Sequence, residues 1–133
     1  MKELKHLMYF ERLLDDAHNE LVRQAEAEGD LAIGYTCFHA PEVLLNLGNC
    51  FSVRLRAPHT TSMELATYYM ANNSCEFSRA ILERALEGGY GFLHALAGVD
   101  VCEANNRAIE NMEIMHAQGA DKDKFCLLYT SDA

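Results

Sequence analysis

The stretch LAIGYTCFHAPEVLLNLGNCFSVRL, Leu31 to Leu55, constrains the fold of this chain more than any other part of it. Two short β-prone apolar segments, Leu31–Tyr35 and Cys50–Leu55, flank one that opens at Pro41 and closes at Gly48. Proline's fixed φ suits the first position of a helix, and glycine suits its end. In the second segment Phe51, Val53 and Leu55 alternate with polar residues, the period of a strand. A hairpin joins antiparallel strands through a tight turn, whereas strand, helix, strand is the connection that parallel neighbours require. The chain is therefore predicted to build an α/β layer.

The remaining segments extend that layer. Leu4, Leu7, Met8, Leu14, Ala17, Leu21, Val22 and Ala25 recur at three- and four-residue spacings, predicting one amphipathic helix that Gly29 and Asp30 end. After Pro58, Thr61 or Ser62 can cap a helix to about Ala71, and Ser74 another to Leu86 before Gly88 and Gly89. ALAGVDV, Ala95 to Val101, reads as a buried strand, and CEANNRAIENMEIMHAQG as a helix ending at Gly119. The predicted fold class is α/β: an N-terminal amphipathic helix over residues 1–30, then a truncated Rossmann-like parallel sheet layer over residues 31–125.

With 133 residues and 50% hydrophobic content, the chain can bury one core. A net charge of -9 argues against nucleic acid or an anionic membrane as partner, since those surfaces select clustered Lys and Arg. No apolar run spans a bilayer, and MKELKHLMYFERLLDD carries acids where a signal peptide has its apolar segment, so a cytoplasmic protein is expected. The five cysteines, Cys37, Cys50, Cys75, Cys102 and Cys126, form no CxxC and are odd in number, which suits thiols or metal ligands better than disulfides.

The final octapeptide CLLYTSDA, residues 126–133, equals the translation of TGT CTC TTA TAC ACA TCT GAC GCT and so resembles a sequencing-library transposase adapter. On that reading the natural sequence breaks off near Phe125 as the N-terminal piece of a longer product, and Cys126 has no role. A natural apolar tail forming a strand is the other reading.

Cys75 and Cys102, 27 residues apart, share a setting: each stands where a predicted helix begins. A helix N-terminus carries partial positive charge and free amide donors, which favours a thiolate. Ligands of open α/β sheets bind at the carboxyl ends of strands, where Cys102 falls. Taken by spacing alone, the pair fits inert packing or metal ligation.

The succession IGYTCFHAPEVLLNLGNCFSVRLR, then SCEFSRAILERALEGGYGFLHALAGVDVCEANNRAIENM, resembles the N-terminal region of the 2-hydroxyacyl-CoA dehydratase and benzoyl-CoA reductase family. The family elements are a strand-loop with GY, PEE and VRL, a cysteine heading a helix, and a strand ending in CD--RR. They occur in order from about Ile33 to Met112. This chain lacks the proline before VRL, has Glu103 for the aspartate, and has Asn106 for the first arginine. The resemblance implies an iron-sulfur subunit in which Cys75 and Cys102 are two of three thiolate ligands to the iron of a 4Fe–4S cluster, the third lying downstream. Three soft thiolates suit iron and leave one coordination position open.

The same resemblance implies a reaction: elimination of water from a 2-hydroxyacyl-CoA thioester to give an enoyl-CoA. One electron delivered to the thioester carbonyl makes a ketyl radical, which expels the adjacent hydroxide and acidifies the β-hydrogen. It implies partners too, a homologous second dehydratase subunit and an ATP-dependent iron-sulfur activator, and a fragment inactive alone. A reductive, benzoyl-CoA reductase-like subunit and a noncatalytic electron-transfer or scaffold homologue are the alternatives; a third downstream cysteine separates the cluster-bearing readings from the last.

Among other residues, His39 in the loop TCFHAPE is the candidate substrate contact, against a surface histidine. Cys37 and Cys50 read as packing, and Glu42 and Glu76 as residues favoured by helix dipoles. Arg54 and Arg56 could meet CoA phosphates but read more simply as solvated or paired, as do Arg79 and Arg107.

Overall fold

The computed structural model describes residues 2–118 and 126–130. Four parallel strands, β1 (Leu31–Tyr35), β2 (Cys50–Arg54), β3 (Ala95–Val99) and β4 (Cys126–Thr130), lie in the order β2-β1-β3-β4. Leu31 pairs with Cys50 and Tyr35 with Arg54; Ile33 pairs with Ala95, and Ala95 with Cys126. The helices are α1 (Lys2–Leu14), α2 (Glu20–Glu28), α3 (Glu42–Leu45), α4 (Glu64–Thr67), α5 (Glu76–Leu86) and α6 (Glu103–Gln118). The α/β parallel layer expected from Leu31–Leu55 is thus present, with β1 at the predicted residues. Among the described residues no helix is long and apolar enough to cross a membrane.

Strand order and handedness set which helix lies on which face. The step from β1 to β2 and the step from β2 to β3 run in opposite directions across the sheet. Right-handed crossovers then put α3 on one face and α5 with α6 on the other. The packing follows: Ile81 and Leu82 of α5 and Ala108, Ile109 and Met112 of α6 join Ala32, Val53, Leu55 and Leu96 in the main core, with Val22 of α2. On the opposite face Tyr35, Ala40, Leu45 and Ala97 form a smaller cluster under α3. Alternation along β1 sends Ala32 to the first and Ile33 and Tyr35 to the second.

At Gly34 the main core closes onto the backbone. A Cβ there would stand 2.6 Å from Leu93 Cδ1 and 3.2 Å from Leu55 Cδ2. Leu55 is wholly buried and Leu93 nearly so, which leaves neither room to retreat.

Several boundaries differ from the sequence reading, each for a local reason. The N-terminal amphipathic helix is divided in two. Asn19 accepts from the amides of Leu21 (3.0 Å) and Val22 (3.2 Å) and starts α2 afresh. Gly29, at φ 92°, ends α2 as expected, with the Asp30 amide bonded back to the Ala25 carbonyl at 2.9 Å. Of the predicted apolar stripe, Ala17, Val22 and Ala25 are buried, whereas Leu4, Leu7, Met8 and Leu14 on α1 are exposed.

Helix α3 stops at Leu45 rather than near Gly48, because the Asn46 side chain donates to the Glu42 carbonyl (2.8 Å) and accepts from the Ser52 amide (2.9 Å). Strand β3 ends at Val99, where the Val101 amide turns back onto the Val99 carbonyl at 3.0 Å.

The helix expected from Thr61 or Ser62 to Ala71 is a single turn, α4, and neither residue caps it. Its cap comes from another helix: Glu83 of α5, 3% exposed, accepts from the amides of Ala66 (2.7 Å) and Leu65 (3.3 Å). A carboxylate buried beside two otherwise unpaired amides satisfies both parties.

Cys126 to Thr130 of the adapter-like tail forms β4 beside β3. Backbone pairing reflects the β-propensity of CLLYT and is indifferent to its origin. Gly119, read as the end of the last helix, and residues 131–133 lie outside the described residues.

Two substitutions check this account by urea denaturation of the chain. Glu83→Ala leaves the buried Ala66 amide and the part-buried Leu65 amide unpaired and is expected to cost about 1–3 kcal/mol, with Glu83→Gln, which retains one acceptor oxygen, costing less. Gly34→Ala is expected to cost about 1–3 kcal/mol by overpacking Leu93 and Leu55, with the denaturant slope unchanged.

Candidate functional site

In a parallel layer, crossover helices run antiparallel to the strands, so their N-termini gather at the sheet's carboxyl edge. Cys75 is the N-cap of α5, and its carbonyl accepts the Arg79 amide at 3.0 Å. Cys102 holds the same place on α6, its carbonyl accepting the Asn106 amide at 2.9 Å. The sequence had assigned the cap of α5 to Ser74; the cysteine itself occupies it. Since α5 and α6 pack against each other on one face, both cysteines lie at one edge and on one side of the sheet. Both are free thiols and exposed.

The strand order reverses between β1 and β3, whose onward connections depart in opposite directions. Such a reversal leaves a crevice at the carboxyl ends of the two strands, the place where ligands of open α/β sheets bind. The loop after β1 carries Thr36 to Pro41, and the loop after β3 carries Asp100 to Cys102. The topology therefore sets the His39 loop and Cys102 on either side of one crevice. His39 lies in a turn closed by the Ala40 amide on the Cys37 carbonyl (3.0 Å), exposed, its ring 4.1 Å from that of Phe38.

The Cys75 thiol is held below its ordinary pKa. The Ser78 amide is the largest cause, facing the sulfur without closing a full capping bond; the Ser78 hydroxyl and the Phe77 amide add to it, against partial burial and the Glu76 carboxylate. The loop ahead of Cys75 is fixed from behind. Arg79 donates to the Asn72 carbonyl (3.1 Å), the Asn72 side chain (3.2 Å) and the Thr67 hydroxyl (3.1 Å). Ahead of Cys102, Asn106 donates to Asp100 and pins the turn that leaves β3. Arg79, expected to make ordinary surface pairs, instead orders a loop; Arg107 does make such a pair, with Glu110 at 3.2 Å.

Other residues singled out by sequence take structural places. Arg56 donates to the Leu13 carbonyl at 3.1 Å and ties α1 to the end of β2, while its carbonyl accepts from Tyr90 at 3.0 Å. Arg54 is exposed. Glu42 sits beside Tyr35, whose phenol is pushed up by burial first and then by that carboxylate. Cys37 and Cys50 are half-buried, Cys37 in the loop that follows β1 and Cys50 at the start of β2, the opposite end of the strands from Cys75 and Cys102.

Sequence reasoning missed two polar residues. Thr36, 3% exposed, directly follows β1 with its hydroxyl unpartnered, and Asn105, 7% exposed, lies one turn into α6 with its amide nitrogen buried and unpartnered. An orphaned buried polar group costs about 1–3 kcal/mol, so two at one edge of the sheet call for an account. The spacing CEAN carried a signal, because the third helical residue is the one whose side chain reaches back to the cap.

Among the described residues no three His, Cys, Asp or Glu side chains converge as a metal site. The two thiols still fit a soft metal by chemistry: both are accessible and each stands at the start of a helix. No curated protein and no solved structure matches this chain. Residues 37–127 match the family described as 2-hydroxyglutaryl-CoA dehydratase, D-component (HGD-D), a span that begins at Cys37 and includes Cys75 and Cys102. The match takes in the crevice loops, both cysteine-headed helices and more than half of the chain, which therefore belongs to the 2-hydroxyglutaryl-CoA dehydratase D-component family.

Proposed function

We propose that this chain is part of a subunit that eliminates water from a 2-hydroxyacyl-CoA, with Cys75 and Cys102 holding two corners of a 4Fe–4S cluster. The observation that carries the reading is the placement of both cysteines as caps of neighbouring helices α5 and α6, on one face at the carboxyl edge of the sheet. The third thiolate comes from outside this chain. A cluster held there would supply and recover one electron at the thioester, so that the net reaction is loss of water without change of oxidation state.

The chain's own residues have three parts to play. The Ser78 amide, first among the groups at the start of α5, favours the anionic thiolate of Cys75. Arg79 and Asn106 fix the two approaches, so each sulfur is held by an ordered turn rather than a loose loop. His39, presented by the turn Cys37–Ala40 across the crevice, donates a hydrogen bond to the thioester carbonyl and orients the 2-hydroxyacyl carbon chain.

A component of a dehydratase implies a second, homologous subunit, and delivery of the electron implies an ATP-hydrolysing iron-sulfur activator. The family description names a dehydratase, which favours elimination over the reductive, benzoyl-CoA reductase-like alternative.

The deciding experiment is anaerobic expression of the full-length gene with its neighbours, followed by iron and sulfide analysis. Wild type is expected to carry a cluster, and Cys75→Ala and Cys102→Ala each to lose most of its iron. A full cluster in either variant rejects that cysteine as a ligand. His39→Ala is expected to keep the iron while lowering kcat/KM for the acyl-CoA about tenfold, roughly the worth of one hydrogen bond; an unchanged kcat/KM removes His39 from the site.

A further inference from the structure

The outward side of helix α3 is apolar. The polar residues of the helix and its exit, Glu42 and Asn46, turn to Ser52 of β2, and Leu45 lies buried with Tyr35 and Ala97. Val43, Leu44 and Leu47, joined by three- and four-residue spacings, stand 79%, 60% and 60% exposed. Phe38, in the loop leading into the helix, is 72% exposed. A helix that is apolar on both sides belongs between two layers, and an all-parallel sheet is ordinarily covered on both faces. Beside α3, Ile33 and Val99 are only half-buried. The four exposed side chains present on the order of 400 Å² of apolar surface. A standard interface takes about 800 Å² from each partner, a little over half of it apolar, so the patch is the size of an interface core.

A continuation of the chain that extends this sheet does not cover α3. Right-handed crossovers to strands added beyond β3 carry their helices on the face of α5 and α6. A helix comes to the α3 side only on the way to a strand outside β2, and that edge is stopped. The Ser52 amide, which faces away from β1, is bonded to the Asn46 side chain at 2.9 Å, and the Asn46 amide donates to the Ser52 hydroxyl at 2.8 Å. The other exposed apolar patch, Leu4, Leu7, Met8 and Leu14 on α1, precedes the span that matches the D-component family, whereas α3 lies within it.

We propose that the outward face of α3, with Phe38, Val43, Leu44 and Leu47, seats the second, homologous subunit of the dehydratase. The inference rests on the reading of this chain as one component of that enzyme and adds the surface by which the components meet. The partner it fits presents an apolar patch of similar area. Phe38 stacks on His39, so the seated subunit borders the crevice loop.

The test uses the full-length subunit, co-expressed with its neighbouring gene products, as wild type, as Val43→Glu with Leu47→Glu, and as Leu4→Glu with Leu7→Glu. The partner is identified by mass spectrometry, its affinity is read by sedimentation, and the lone subunit is unfolded in urea. Wild type and the α1 variant are expected to bind the homologous partner equally. The α3 variant is expected to bind it about a hundredfold more weakly, with the urea midpoint of the lone subunit unchanged. Unchanged affinity in the α3 variant overturns this inference alone, as does an equal loss in the α1 variant. A lowered urea midpoint in the α3 variant places the subunit's own chain on the patch and overturns it too. So does a wild-type subunit that pairs with itself through the same residues. A wild type that takes up no homologous partner overturns the component reading and this inference with it. Should Val43→Glu with Leu47→Glu fail to fold, Leu44→Ser at wild-type affinity overturns the inference equally.

Discussion

A parallel strand can reach its neighbour only by travelling back along the sheet, and in this molecule the return is always made by a helix. Every crossover helix therefore begins at the edge where the strands end. This one requirement places Cys75, Cys102 and the His39 loop at a common edge, although they are far apart in sequence. The order β2-β1-β3-β4 adds the second constraint. Because the chain changes direction across the sheet once, between its first and second crossovers, α3 is alone on one face while α5 and α6 share the other. A different order, with β3 beside β2, would have put the cysteine-headed helices on the same face as α3 and removed the crevice between β1 and β3.

The two faces are unequal as a result. One is covered by α2, α4, α5 and α6 around Leu55, Ile81, Leu82, Leu96 and Ile109. The other is covered by one turn of helix over Tyr35, Leu45 and Ala97, and its surroundings stay apolar and open, with Phe38, Val43, Leu44 and Leu47 exposed. Burial of apolar area is what holds such a layer together, at about 25 cal/mol per Å². Most of that stabilisation lies on the side that carries the cysteines. The helices whose starts must be held in place are therefore the ones most firmly packed, which is the arrangement a preorganised ligand site requires.

How much of this could be read from residues alone follows from the range of the interactions involved. β1 was legible because the short apolar run LAIGY, bounded by Gly29–Asp30 and by a proline-opened helix, leaves little choice, and the start of α6 because Cys102 follows an apolar strand. The cysteine pair was legible as two helix starts but not as neighbours; only the strand order brings them to one edge, and order is a matter of non-local pairing. The break between α1 and α2 was missed because an unbroken apolar period outvoted Asn19, whose side chain caps α2 with two amides. α4 was misjudged for the opposite reason. Its cap is Glu83, seventeen residues beyond Ala66, and no local rule finds a cap lent by another helix.

The starts of α5 and α6 bear on why cysteines stand there at all. In the same chain α2 begins on Asn19, which accepts two amide bonds, as residues at that position usually do. α5 begins on Cys75, which closes no capping bond, and α6 begins on Cys102. Replacing a good cap by a poor one costs about 1 kcal/mol per helix, and Asn105 adds an unpaired buried donor to the same edge. Local stability alone would favour Ser or Asp at both starts and an apolar residue at position 105. Each departure is small, but all three fall at one edge of the sheet, on the face where the packing is best. Under the proposed cluster reading, the two cysteines that make poor caps in the protein alone would gain their purpose as ligands, and the site's stability would be completed by what it binds.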